Sequence, residues 1–140
     1  MEDVRTIISQ YMPKKNKAPS GTGRDSHVKL ATTSEIPDLF FDEILVQNKM
    51  TRIEIMVLML LYRQVWCRPN LFREYGIGPV QTYVDMAHGL GVGLDELQGA
   101  IRNLERLEFI ETVRSGQYFV RKYFTKENDE VYGQHYNDFL

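Results

Sequence analysis

The stretch from Thr82 to Phe124, TYVDMAHGLGVGLDELQGAIRNLERLEFIETVRSGQYFVRKYF, constrains the fold more than any other part of the chain. Leu94, Leu97, Ile101, Leu104 and Leu107 recur at helical spacing and predict one buried stripe. Gly89, Gly91 and Gly93 break the preceding helix, Asp95 and Glu96 put negative charge in the first turn of the next, and Phe109-Ile110 opens a β-rich run. A helix over 94–108 follows, with Asp95, Gln98, Gly99, Arg102, Asn103 and Arg106 facing outward. Val80 to Leu90 predicts a shorter helix before it, turned inward through Tyr83, Met86, Ala87 and Leu90. After it, Ile110 to Arg114 and Gln117 to Phe124 are rich in β-formers on either side of Ser115-Gly116, which reads as a tight hairpin turn.

The rest of the chain supplies a lead-in. Glu35 to Met50 places Leu39, Phe40, Ile44 and Leu45 on one helical face, with Pro37 at a favourable early position. Thr51 and Glu54 fit a capping box, in which a hydroxyl accepts from a backbone N–H three residues on and a carboxylate reaches back. The body that follows, IEIMVLMLLYRQVW, is apolar nearly all round and predicts the most buried helix, with Met56 and Met59 as packing residues. Cys67 to Pro79 holds Pro69, Gly76, Gly78 and Pro79 and reads as a connection with one helical turn near Leu71 to Tyr75. His88 beside the turn reads as a surface or capping residue. In the tail, Val131, Tyr132, His135, Tyr136 and Phe139 stand at rough helical spacing among acids, which suits folding back on the domain or a homodimer contact.

Composition narrows the function. At 140 residues and 43% hydrophobic the chain has material for one core. Its net charge of −2 argues against a surface that is basic throughout, so any phosphate-binding region must be local. Pro13 to Lys29 carries five bases, among them Lys14, Lys15 and Lys17, against Asp25 alone, and its Pro, Gly and Ser content predicts a flexible basic arm over residues 1–34. Lys126 to Leu140 is the reverse, one base against four acids. With Cys67 alone no intramolecular disulfide forms, and no Cys/His set has zinc spacing. The longest apolar run, Ile55 to Tyr62, is far short of the roughly 20 residues that cross a bilayer, so a cytoplasmic location is expected. No nucleophile and base stand at motif spacing, and Gly21 to Gly23 lacks the context of a phosphate loop, so no enzymatic activity, cofactor or metal is expected.

Three segments together carry a family resemblance: IPDLFFDEIL, MTRIEIMVLMLLYRQVW and VQTYVDMAHGLGVGLDELQGAIRNLERLEFIE. From Glu35 to about Thr125 their order resembles the winged-helix domain at the N-terminus of phage replication protein O and related plasmid initiators. Leu104, Leu107 and Ile110 match that family's Leu-x-x-Leu-x-x-Ile helix end, and Arg63 and Trp66 match its Arg-x-aromatic segment more loosely. The chain departs from the pattern at Gly93, where such families usually place a Ser or Thr, and in the acids Asp95 and Glu96 that follow. The resemblance implies a mainly α winged helix-turn-helix with a small β-hairpin, binding double-stranded DNA in replication initiation or transcription regulation. In the common docking mode the helix from Leu94 enters the major groove, where Gln98, Arg102, Asn103 and Arg106 reach base edges or phosphates. Arg114, Gln117, Arg121 and Lys122 of the hairpin, and Lys14, Lys15 and Lys17 of the arm, would then hold flanking backbone. The alternative is a protein-protein interaction adaptor without DNA binding, suggested by the acidic helix start and by Tyr118, Phe119, Tyr123 and Phe124, a dense aromatic run.

Overall fold

The computed structural model describes residues 28–138. The expected arm lies mostly outside them, with Lys14, Lys15 and Lys17. Contacts divide the chain into Met1–Thr33 and Ser34–Leu140, and the second unit carries all the regular structure below. It is mainly helical with one two-stranded antiparallel hairpin.

Helix α1 begins with a wide turn over Phe40–Ile44 and continues through Leu45–Gln47. It is shorter at both ends than the apolar pattern predicts. Asn48 stops it by leaving the helical region and folding its side-chain amide back onto the Ile44 carbonyl at 2.9 Å. Leu39, Phe40 and Ile44 are buried as expected, while Phe41 stays exposed with its ring edge-on to Phe40.

Helix α2, Arg52–Tyr62, starts at the anticipated capping box: Thr51 Oγ1 accepts from the Glu54 N–H at 3.1 Å and Glu54 Oε1 accepts from the Thr51 N–H at 3.0 Å. A second wide turn, Arg63–Cys67, prolongs it. Val57, Leu58, Leu61, Tyr62 and Val65 form the centre of the core. Met56 and Met59 are only half-buried and line a shallow groove with Ile36, Leu60 and Leu90.

Helices α3 (Tyr83–Leu90) and α4 (Leu94–Arg106) follow the sequence closely. Leu97, Ala100, Ile101 and Leu104 of α4 and Met86 and Ala87 of α3 join the α2 side chains in one cluster. Leu94, expected in the buried stripe, is 44% exposed, because α4 has only begun at that residue and its stripe faces the core from Leu97 onward. Ala100 takes the fourth buried place.

The hairpin comprises β1 (Ile110–Arg114) and β2 (Gln117–Val120) joined by Ser115-Gly116. Ile110 pairs with Val120, Thr112 with Tyr118 and Arg114 with Gln117, so Val113 is an extra residue in β1. The second strand ends four residues before the expected Phe124. There the chain adopts φ +77° at Phe124 and turns its ring into the core, stacked on Tyr62 at 5.0 Å and against Phe40 at 5.1 Å. Burial of that ring offsets the cost of a left-handed non-glycine residue.

The region read as a plain connection does more than connect. After a short turn at Arg73–Tyr75, residues 76–81 run antiparallel along the free edge of β2. Val120 N–H donates to the Gly76 carbonyl at 2.8 Å, Gly78 N–H to Tyr118 at 3.1 Å and Gln81 N–H to Gly116 at 2.9 Å. These bonds occupy the edge of β2 that would otherwise be open.

The tail folds back. Thr125 Oγ1 caps helix α5 (Lys126–Val131) by accepting from the Asn128 N–H at 3.0 Å. Asp129, in a segment that reads as solvated and acidic, is 97% buried. It accepts from Arg121 at 3.2 Å, from the Tyr123 N–H at 3.0 Å and from the Tyr136 hydroxyl at 2.7 Å. Burial foremost, then this bond to Asp129, raises the Tyr136 pKa well above the ordinary phenol value, and burial does the same for Tyr62. Among the described residues, no helix is long and apolar enough to cross a membrane.

Candidate nucleic-acid interface

Local signals set the geometry between α3 and α4. Thr82 Oγ1 accepts from the Asp85 N–H at 3.0 Å and starts α3. Gly91 ends it at φ +69°, a conformation that favours glycine, with its N–H bonded to His88 at 3.2 Å. Gly93 then precedes α4 without a hydroxyl cap, and only the reciprocal half of a capping box is made, the Glu96 carboxylate accepting from the Gly93 N–H at 2.9 Å. Both first-turn acids are exposed, Glu96 held against the backbone and Asp95 beside it.

The outward residues of α4 have three different fates. Arg102 and Arg106 are exposed, and no hydrogen bond or ion pair within the described residues engages either guanidinium. Gln98 is half-buried with its amide likewise unengaged, and it lines a groove with Leu94, Val80, Val84, Asp85 and Ser115. Asn103, expected at the interface, instead donates to the buried carboxylate of Glu54 on α2. Its place on the edge of the helix lets it close the Thr51–Glu54 cap and tie α4 to α2.

The hairpin residues are similarly sorted. Arg114 is exposed at the turn, its Nε donating to Gln117 at 3.0 Å and the rest of the guanidinium turned to solvent. Gln117 itself is 1% exposed, its amide donating to the Gly78 carbonyl at 3.0 Å, so it is an internal strut. Arg121 and Lys122 lie past the far end of β2, about 13 Å along the strand from Gln117. Arg121 is paired with Asp129 over the Phe119 ring, and Lys122 sits 5.5 Å from the Trp66 ring centre. Neither joins Arg114 at the turn. Gln98, Arg102 and Arg106, at four-residue spacing, share the outward side of α4, Arg114 stands at the hairpin turn beside the groove that Gln98 lines, and Asn103, Gln117, Arg121 and Lys122 serve within the fold.

Sequence reasoning missed the apolar members of this face. Val80, Val84 and Leu94 are 52%, 62% and 44% exposed around Gln98. The signal for Val84 was present, since a helix turned inward through Tyr83, Met86, Ala87 and Leu90 leaves position 84 outside. The aromatic run has the opposite fate. Tyr118 and Phe124 are fully buried, Phe119 is packed edge-on to Tyr136 at 4.8 Å and Tyr123 is stacked on Tyr132 at 4.7 Å.

No protein-family model, curated protein or solved structure matches this chain.

Proposed function

We propose that this chain is a winged helix-turn-helix protein that binds double-stranded DNA in replication initiation or transcriptional regulation. One observation carries the reading. Helix α3, a glycine turn and α4 are followed by a hairpin whose inner strand is paired with the segment before α3, and the exposed cations Arg102, Arg106 and Arg114 stand on α4 and at the hairpin turn. That order of elements and that placement of charge suit a helix in the major groove with a wing on the neighbouring backbone. Arg121, Lys122 and Gln117 leave the proposed contact set, and the basic arm with Lys14, Lys15 and Lys17 stays in it as a source of phosphate contacts. The adaptor reading rests on the acidic start of α4 and on the aromatic run, of which Tyr118 and Phe124 are buried and Phe119 and Tyr123 half-buried.

Charge reversal tests the assignment. Arg102→Glu combined with Arg106→Glu should weaken binding to a labelled random duplex by about thirtyfold or more, the scale of losing two contacts worth 1–3 kcal/mol each. Lys49→Glu, at an exposed position outside the set, should leave affinity within about twofold, on the scale of a screened distant charge. Equal effects from the two variants would remove α4 from the interface.

A further inference from the structure

The groove beside Gln98 is apolar where a phosphate-binding surface would be basic. Its floor holds Val80, Val84 and Leu94, each with about half its surface open, and its rim holds the carboxylate of Asp85. Asp95 is exposed one residue along α4. These acids repel phosphate, so of the parts of a duplex the backbone is the one kept out. The cations of α4 stand away from it: Arg102 lies eight residues beyond Leu94, about 12 Å along the helix, which is about the width of the major groove, while Arg114 borders the groove next to Ser115. A duplex seated with its phosphates on Arg102, Arg106 and Arg114 presents base edges, not backbone, to the first turns of α4.

On base edges in the major groove, the thymine C5-methyl is the apolar group, and adenine offers the N6/N7 pair that a glutamine amide matches. Gln98 and Leu94 are four residues apart and share a face of α4. Resting on the DNA-binding reading, we infer that this groove is a specificity pocket for A·T base pairs: Val80, Val84 and Leu94 cover thymine methyl groups beside an adenine held by Gln98. Such a pocket confers sequence preference without adding charge, which suits a chain whose net charge is −2.

The test compares three labelled duplexes of equal length at low salt: alternating A·T, the same sequence with deoxyuridine replacing thymidine, and alternating G·C. Deoxyuridine pairs as thymidine does and lacks only the methyl. The expected result is tightest binding to the thymidine duplex and a loss of about fourfold for each covered methyl on going to deoxyuridine, the scale of one buried methylene. The double variant Val84→Ala with Leu94→Ala, both at exposed positions, should shrink the difference in affinity between the thymidine and deoxyuridine duplexes, and an unchanged difference would overturn the pocket. Equal wild-type affinity for thymidine and deoxyuridine duplexes overturns the pocket and leaves DNA binding intact. Failure to bind any of the three overturns the DNA-binding reading as well.

Discussion

Replacing Gly116 by alanine is expected to destabilise the protein by about 3 kcal/mol, the sum of left-handed strain and a lost backbone bond. Gly116 has φ +82°, and a Cβ there would lie 2.1 Å from the Gln81 carbonyl oxygen. That oxygen belongs to backbone, so no rotamer change relieves the clash. Relief requires parting Gln81 from Gly116, which gives up the 2.9 Å bond that aligns the segment before α3 with the hairpin turn. Urea unfolding measures the change as a lower midpoint at similar slope. Gly99, in the middle of α4 with open space around it, is the comparison: Gly99→Ala should hold or raise stability, by up to about 1 kcal/mol. A Gly116→Ala loss below about 1 kcal/mol, the size of a single hydrogen bond, would contradict the close packing of these two segments.

Asp129→Ala should have a comparable effect, about 3 kcal/mol, the lower end of the range for breaking a buried charge pair because Arg121 keeps some contact with water. The carboxylate is the shared acceptor of the Arg121 guanidinium, the Tyr123 N–H and the Tyr136 hydroxyl. The Tyr136 hydroxyl in turn accepts from the Lys122 N–H at 2.8 Å. Its proton is therefore committed to Asp129, and removing the acceptor leaves several donors stranded together. Asp129→Asn should be nearly as damaging, since it presents an amide donor to groups that already donate. Urea unfolding of both variants checks this, and wild-type stability in either would mean that water replaces the carboxylate.

These two sites also mark where the sequence was legible and where it was not. Signals confined to a few neighbouring residues translated directly. The Thr51–Glu54 cap, the glycine stop after Leu90, the Leu97–Ile101–Leu104 stripe and the Ser115-Gly116 turn are all settled by interactions within about one helical turn or one hairpin loop. What failed to show depended on distant partners. Asn103 reads as an outward residue of α4 until Glu54, 49 positions away, is brought beside it. Gln117 reads as a polar wing residue until Gly78, 39 positions away, offers a carbonyl inside the sheet edge. Asp129 reads as one of four solvated acids in the tail, because only the turn at Phe124 brings Arg121 and Tyr123 around it.

The candidate site was correspondingly half visible. Helical periodicity placed Gln98, Arg102 and Arg106 outside, and the turn placed Arg114 at the tip. Charge alone also grouped Arg121 and Lys122 with them, but their pairing with Asp129 and Trp66 is a property of the folded tail. Leu94 was assigned to the core by a periodicity that cannot register where the neighbouring element ends.

Binding to random-sequence duplex DNA across a range of monovalent salt tests the central claim most directly. Measurable binding is expected at low salt, with a linear fall of log K with log salt whose slope is about −3 if only Arg102, Arg106 and Arg114 meet phosphates and nearer −5 if arm lysines join them. Absence of binding at the lowest salt, or binding with no salt dependence, would contradict it.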